Sequence, residues 1–198
     1  MAANRFDLIL ASTSLRRAQI LRQMGVSFEF AQHNVNERSD RCENPRDYVL
    51  RVAKEKAMGG LSISGGNKPV LGADTIVCLD RKIFGKPENL QEALSMLKQL
   101  SGRKHSVYSA IAIANGRTIE HRVVVTEVTF RDLDYNERVD YCSSGEPYGK
   151  AGGYAIQGLG AIFVKNLNGS YSGVVGLPIY QTYELLKIFK VPFWKDRR

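Results

Sequence analysis

Residues 71–79, Leu-Gly-Ala-Asp-Thr-Ile-Val-Cys-Leu, make a continuous apolar run with a single carboxylate, Asp74, at its middle. A run of this kind is what a buried central strand uses. An ionised carboxylate in such a strand carries a large desolvation cost unless a cation or a metal compensates it. Two readings follow. In the structural one, Asp74 caps a neighbouring turn or pairs with a core arginine. In the functional one, basic and polar groups from elsewhere in the chain converge on it, and the remaining sequence supplies such groups.

Before this run, residues 6–11 read as a short buried strand, and Ser12-Thr13-Ser14 offer N-cap hydroxyls to a helix over residues 15–24 that stops at Gly25. Arg16 and Arg17 fall in its first turn, where they oppose the helix dipole. That mismatch fits a bound anion held by backbone N–H groups, hydroxyls such as that of Ser12, and guanidinium. A capped helix with solvated arginines fits equally well. Residues 26–35 predict a second strand and loop, followed by Asn36-Glu37-Arg38. Asn44-Pro45 marks a clean helix start, and that helix is expected to end at Gly59-Gly60. Lys56 falls in or beside its apolar stripe of Val49, Val52, Ala53 and Ala57, so it either snorkels outward or reaches into a site.

After the Asp74 strand, Asp80-Arg81-Lys82 turns the chain, and Pro87 makes the turn at Lys86 rigid. A third helix is expected over residues 88–100, with Leu90, Ala93, Leu94 and Leu97 on one face. Residues 106–114 and 118–130 flank Asn115-Gly116, a strong hairpin signal. Asp134 and Glu137 form a capping pair for a short helix through Cys142. The stretch from Lys150 to Gly160 is dense in glycine but matches no dinucleotide fingerprint. Small residues beside Gln157 fit either a close approach of backbone to a flat ligand or a plain glycine-rich turn. Residues 161–175 predict a second hairpin about Asn168-Gly169, and Pro178 opens a last helix.

This order predicts an α/β fold with a mixed sheet and helices, in two lobes around a cleft. No linker or repeat divides it, so residues 1–198 are expected to form one domain. Cys42, Cys78 and Cys142 are too widely spaced for a disulfide framework or a zinc site. No stretch reaches the ~20 apolar residues that span a bilayer, and residues 1–7 lack the apolar core of a signal peptide, so a cytoplasmic location without a membrane partner is expected. The net charge of +8 points to an anionic partner. The basic residues are dispersed, which suits a small phosphorylated ligand as well as a nucleic acid.

Five local patterns, taken in order, resemble one family. They are Ser12-Thr13-Ser14-Leu15-Arg16-Arg17; Asn36-Glu37; Ala53-Lys54-Glu55-Lys56-Ala57; Gly72-Ala73-Asp74-Thr75 with Gly85-Lys86-Pro87; and Lys150-Ala151-Gly152-Gly153-Tyr154-Ala155-Ile156-Gln157-Gly158. The ordered set resembles the Maf nucleoside triphosphate pyrophosphatases, and its last pattern resembles the branch acting on dTTP and UTP. The resemblance implies a fold like that of the inosine triphosphate pyrophosphatases and hydrolysis of a nucleoside triphosphate to monophosphate and pyrophosphate. It implies a divalent cation, Mg²⁺ or Mn²⁺, and a homodimer. Under it, Asp74 is the catalytic acidic residue, Glu37 the second, and both hold the metal. Lys56 and Lys86 bind phosphates, and Arg16, Thr75 and Gln157 occupy specificity positions. Leu15 departs from the family pattern, which often has proline there; no phosphate-binding group is lost by the change.

The residue types suit this chemistry. Attack of water on a phosphoryl group needs charge neutralisation and positioning more than covalent catalysis. Arg16, Arg17, Lys56 and Lys86 can spread over triphosphate oxygens, and the Gln157 amide offers the donor and acceptor that reading a pyrimidine edge requires. Two rivals remain. One is a basic nucleic-acid-binding module, opposed by the lack of a basic run or a recognisable binding motif. The other is a nucleotide-binding regulator of cell division without turnover.

Overall fold

The computed structural model describes residues 6–31, 35 and 43–194. Its elements run β1 (Leu8–Ala11), α1 (Leu15–Gln23), β2 (Phe28–Phe30), α2 (Pro45–Ile63), β3 (Val70–Leu79), β4 (Lys82–Phe84), α3 (Leu90–Leu100), β5 (Lys104–Asn115), β6 (Thr118–Phe130), α4 (Tyr135–Ser143), β7 (Val164–Asn168), α5 (Tyr171–Val175) and α6 (Ile179–Ile188). Two 3₁₀ turns, Ala151–Gly153 and Leu159–Phe163, fill the glycine-dense stretch. The strands form one sheet in the order β2-β1-β3-β5-β6-β7, with β4 on β3. Pairing is parallel for β1 with β2 and β3, and antiparallel for β3–β4 and β6–β7, so the fold is α/β with a mixed sheet. No helix of the described residues is long and apolar enough to cross a membrane.

The chain divides into two compact units. The first takes residues 1–74, 109–124 and 176–198; the second takes 75–108 and 125–175. In the first, β1 is apolar and buried along its whole length, as a strand covered on both faces requires. Its fully buried side chains include Leu8, Leu10, Leu21, Leu71, Ile111, Ile113, Leu177 and Leu185. The second is centred on aromatic rings: Phe130 stands edge-on to His105, Tyr154 and Phe163, and Tyr141 stands edge-on to Phe163.

Local signals explain most helix starts. The Asn44 side chain accepts from the Arg46 amide (2.9 Å) with Pro45 at the first helical position, and Asn89 accepts from the Glu92 amide (2.9 Å). Asp134 and Glu137 close a full capping box at α4. The Ser14 side chain, by contrast, makes no capping bond to α1.

Three expectations fail. First, α2 does not stop at Gly59-Gly60 but continues to Ile63, so the following loop is shorter than expected. Gly60 is there for proximity, since a Cβ on it would lie 2.8 Å from Val70 Cγ1 and 2.9 Å from Ala11 Cβ. A helix pressed this closely onto β1 and β3 tolerates the glycine's lower helix propensity. Second, residues 170–175 make no returning strand; after β7 the chain enters the short helix α5. The Ser170 hydroxyl accepts from the Gly173 amide (3.0 Å), a local turn that competes with strand pairing. Third, Leu90 stands 39% exposed at the start of α3, and the buried face is Ala93, Leu97 and Leu100.

Candidate active site

The first unit contains the Asp74 carboxylate and its counter-ion. Parallel pairing sets Ala11 opposite Gly72, so the carboxyl end of β1 and residue 74 of β3 lie at neighbouring levels of the sheet. Carboxyl ends of parallel strands are where open α/β sheets place their ligands. Asp74 is 8% exposed. The Lys56 ammonium, from the middle of α2, donates to Asp74 Oδ1 at 2.9 Å. Lys56 therefore does not snorkel away; it turns into the sheet and neutralises the carboxylate that the apolar strand would otherwise bury unpaired. The approach is possible because Gly72 lacks a side chain: a Cβ there would run into the Ala53 carbonyl oxygen and the Ala57 nitrogen of α2.

At the end of β1, Ser12 Oγ accepts from the Ser14 amide (3.2 Å) and from Arg17 Nη1 (3.0 Å). Arg17 is buried, and its Nε donates to the Gly176 carbonyl (2.9 Å), so two of its donors fix the β1–α1 loop within the unit. Arg16 is half-buried. Leu15, the departure from the family pattern, is 71% exposed at the first helical position, where a missing proline removes no packing. Glu37 lies outside the described residues.

In the second unit, Thr75 follows Asp74 in β3 and is half-buried. Lys86 is exposed after β4, and its neighbour Gly85 accepts at its carbonyl from the Gly152 amide (3.0 Å). Gln157 is exposed between the two 3₁₀ turns. The structure thus joins Lys56 to Asp74 and Ser12 to Arg17, and ties the Lys86 turn to the glycine-dense segment through backbone.

Sequence reading missed the residues beneath that segment. His105 is buried in β5, with Nε2 2.9 Å from Tyr154 Oη and with Nδ1 buried and unpartnered among the described residues. Burial pushes its pKa down to about 4 and pushes the Tyr154 phenol up. Tyr141 Oη donates to Glu146 Oε1 (2.9 Å), and Glu146 accepts from the Leu159 and Gly160 amides at 2.9 Å each. Burial pushes the Glu146 carboxyl up, but those two amides and the Tyr141 hydroxyl outweigh it and hold the carboxyl below its ordinary value. The sequence offered no period or spacing for Glu146; an acid beside Pro147 was its one visible mark.

A family model described as Maf-like protein matches residues 7–189. The chain belongs to the Maf family. Among relatives of this Maf chain, the dTTP/UTP pyrophosphatase of Escherichia coli O157:H7 is 48% identical over 183 residues, covering 92% of this chain and 93% of that one. The dTTP/UTP pyrophosphatase of Saccharophagus degradans is 43% identical over 196 residues, covering 98% and 93%. A solved Nucleoside-triphosphatase / dITP/XTP pyrophosphatase from Mycobacterium abscessus aligns over 93% of this Maf chain and 95% of its own, at a TM-score of 0.45 and 13% identity.

Proposed function

We propose that this Maf protein hydrolyses nucleoside triphosphates, dTTP and UTP foremost, to the monophosphate and pyrophosphate. Family membership and the names of its relatives support the reaction class. The structural observation that carries it is the buried Asp74 carboxylate paired with Lys56 in the middle of an apolar strand. A charge pair in that position costs desolvation that apolar packing would not, so its presence there fits a chemical role.

In this reading Asp74 orients the attacking water and accepts its proton as the water oxygen bonds to phosphorus at the α–β anhydride. The bridging P–O bond breaks, and pyrophosphate leaves with the electron pair. Lys56, Lys86 and Arg16 stabilise the triphosphate charge, and Arg17 supports that end by holding the Ser12 hydroxyl. Gln157 and Thr75 meet the base and sugar end. A side-chain amide can match the adjacent carbonyl and N–H of uracil or thymine, but meets unlike partners on cytosine.

The donor set suits a divalent cation that arrives on the triphosphate. No group of three or more His, Cys, Asp or Glu gathers among the described residues, and Mg²⁺-type ions are commonly held by one or two carboxylates plus substrate phosphates. Asp74 and Glu37 would hold Mg²⁺ or Mn²⁺, which supplies charge neutralisation at the phosphates when bound. The homodimer, the cytoplasmic location and the lack of a stable nucleic-acid or membrane partner belong to the same proposal.

Pyrophosphate release from dTTP, UTP, CTP, ATP and GTP, with wild type and Asp74→Asn side by side, tests the reading. The expected result is dTTP and UTP ahead of the other three, and a fall of at least about 100-fold in kcat for Asp74→Asn with an unchanged fold. Near-normal turnover in the variant would remove Asp74 from the chemistry. A preference for GTP would reassign the base site but leave the reaction class standing.

A further inference from the structure

We infer that Glu146 is the positioning residue for nucleotide selection: its carboxylate, through Tyr141 and two backbone amides, fixes the segment that presents Gln157. The inference rests on the reading that Gln157 meets the base. Gln157 is itself exposed, so its side chain is only as well placed as the backbone that carries it. That backbone is held on both sides by one carboxylate. Two residues before Gln157, the Ala155 amide donates to Tyr141 Oη (3.2 Å). The same hydroxyl donates to Glu146 Oε1 (2.9 Å). Two and three residues after Gln157, the Leu159 amide donates to Glu146 Oε2 and the Gly160 amide to Oε1, both at 2.9 Å.

The geometry leaves little freedom. A Cβ on Gly158 would collide with the Glu146 carboxylate, so acid and backbone lie in direct contact. The acid is anchored in turn, since the Glu146 amide donates to Ser144 Oγ (3.2 Å) at the end of α4. The Tyr141 ring, also from α4, packs edge-on against Phe163 with centroids 4.8 Å apart. The first amides of a 3₁₀ turn lack partners within the turn, and a carboxylate meets them with charge-assisted bonds. No side chain of Leu159 takes part, and Leu159 is itself 60% exposed. The clamp acts on backbone and so sets the position of Gln157 whatever its neighbours carry.

A Gln157 held before substrate arrives loses less conformational entropy on binding, and its donor and acceptor meet one edge pattern instead of adapting to several. Loosening the clamp should weaken discrimination more than chemistry. Glu146→Gln keeps the side-chain shape but turns an NH₂ toward an N–H or O–H that needs an acceptor. Tyr141→Phe keeps the ring against Phe163 and removes only the bridge to Ala155.

The test measures kcat and KM for dTTP, UTP and CTP in wild type, Glu146→Gln, Tyr141→Phe, Gln157→Ala and the double variant Glu146→Gln/Gln157→Ala, with thermal unfolding alongside. Glu146→Gln should raise KM for dTTP and UTP by on the order of tenfold, the worth of one charge-assisted bond, with kcat largely kept. The ratio of kcat/KM for dTTP over CTP should fall with it. Tyr141→Phe should move the ratio the same way by less. In the Gln157→Ala background the Glu146 substitution should not change the ratio further. An unchanged ratio in Glu146→Gln, with Gln157→Ala collapsing it, overturns the role of Glu146 alone. If Gln157→Ala keeps wild-type discrimination, the base-reading role falls and the inference with it. Should Glu146→Gln fail to fold, an unchanged ratio in Tyr141→Phe is sufficient to reject the clamp.

Discussion

His105 shows how a single buried ring couples this molecule to pH. One nitrogen meets the Tyr154 hydroxyl, the other has no partner among the described residues, and burial pushes the pKa down from about 6.5 to about 4. A group whose folded pKa is depressed contributes stability that is fully present above its unfolded pKa and is lost as pH falls through the folded one. Between about pH 6.5 and pH 4 the unfolded chain binds a proton that the folded chain refuses, so stability should fall by about 3 kcal/mol over that window on this account alone. Urea unfolding of wild type and His105→Gln at pH 7, 5.5 and 4.5 checks this: the gap between the two should shift in favour of the variant as pH falls, and parallel curves would remove His105 as the cause. At this scale the sequence was partly legible. Asp74 stood out because its neighbours are apolar, and Lys56 because it interrupts an apolar stripe. Arg17 stood out by its place in a first helical turn, but its acceptor Gly176, 159 residues on, did not; nor did Glu146, whose amide partners lie 13 and 14 residues away and follow no local period.

At the scale of elements, α2 and β3 meet through small residues. Gly72 faces the backbone of α2 at Ala53 and Ala57, three residues before and one residue after Lys56, whose side chain reaches Asp74. Gly72→Ala has no flexible neighbour to displace, so it should cost about 3 kcal/mol or more, at or beyond the upper end of ordinary overpacking. Turnover should fall with it, because the Lys56–Asp74 distance depends on this approach. Denaturation midpoints and pyrophosphate release on the same preparation measure both, and a loss below about 1 kcal/mol would show that α2 yields easily. The elements that were legible in the sequence carry their own signals: the Asn44-Pro45 start, the Asp134–Glu137 box and the Asn115-Gly116 turn. Those misread were decided elsewhere. Gly59-Gly60 looks like a stop and is a contact surface, and residues 170–175 look like a strand and form a helix because Ser170 turns the chain.

Over the whole molecule, a charge of +8 meets a substrate that carries several negative charges. Long-range attraction of this kind is screened beyond a Debye length of ~10 Å at about 0.1 M salt. Raising NaCl from about 0.05 to about 0.3 M at constant free metal should therefore lower kcat/KM for dTTP several-fold while kcat at saturation holds. Loss of kcat instead would place the effect at bound phosphates. One contact described above also depends on the order in which the chain is made. The Arg17 guanidinium takes its acceptor from Gly176, which belongs to the same unit as Ser12 and Arg17. Every residue of the second unit is synthesised before Gly176 exists. A ribosome that has joined residue 175 has already made Ser12, Lys56, Asp74, Lys86 and Gln157, yet the loop after β1 still lacks the carbonyl that Arg17 holds. The earliest-made stretch of the first unit therefore waits for its latest-made stretch before the Arg17–Gly176 bond can form.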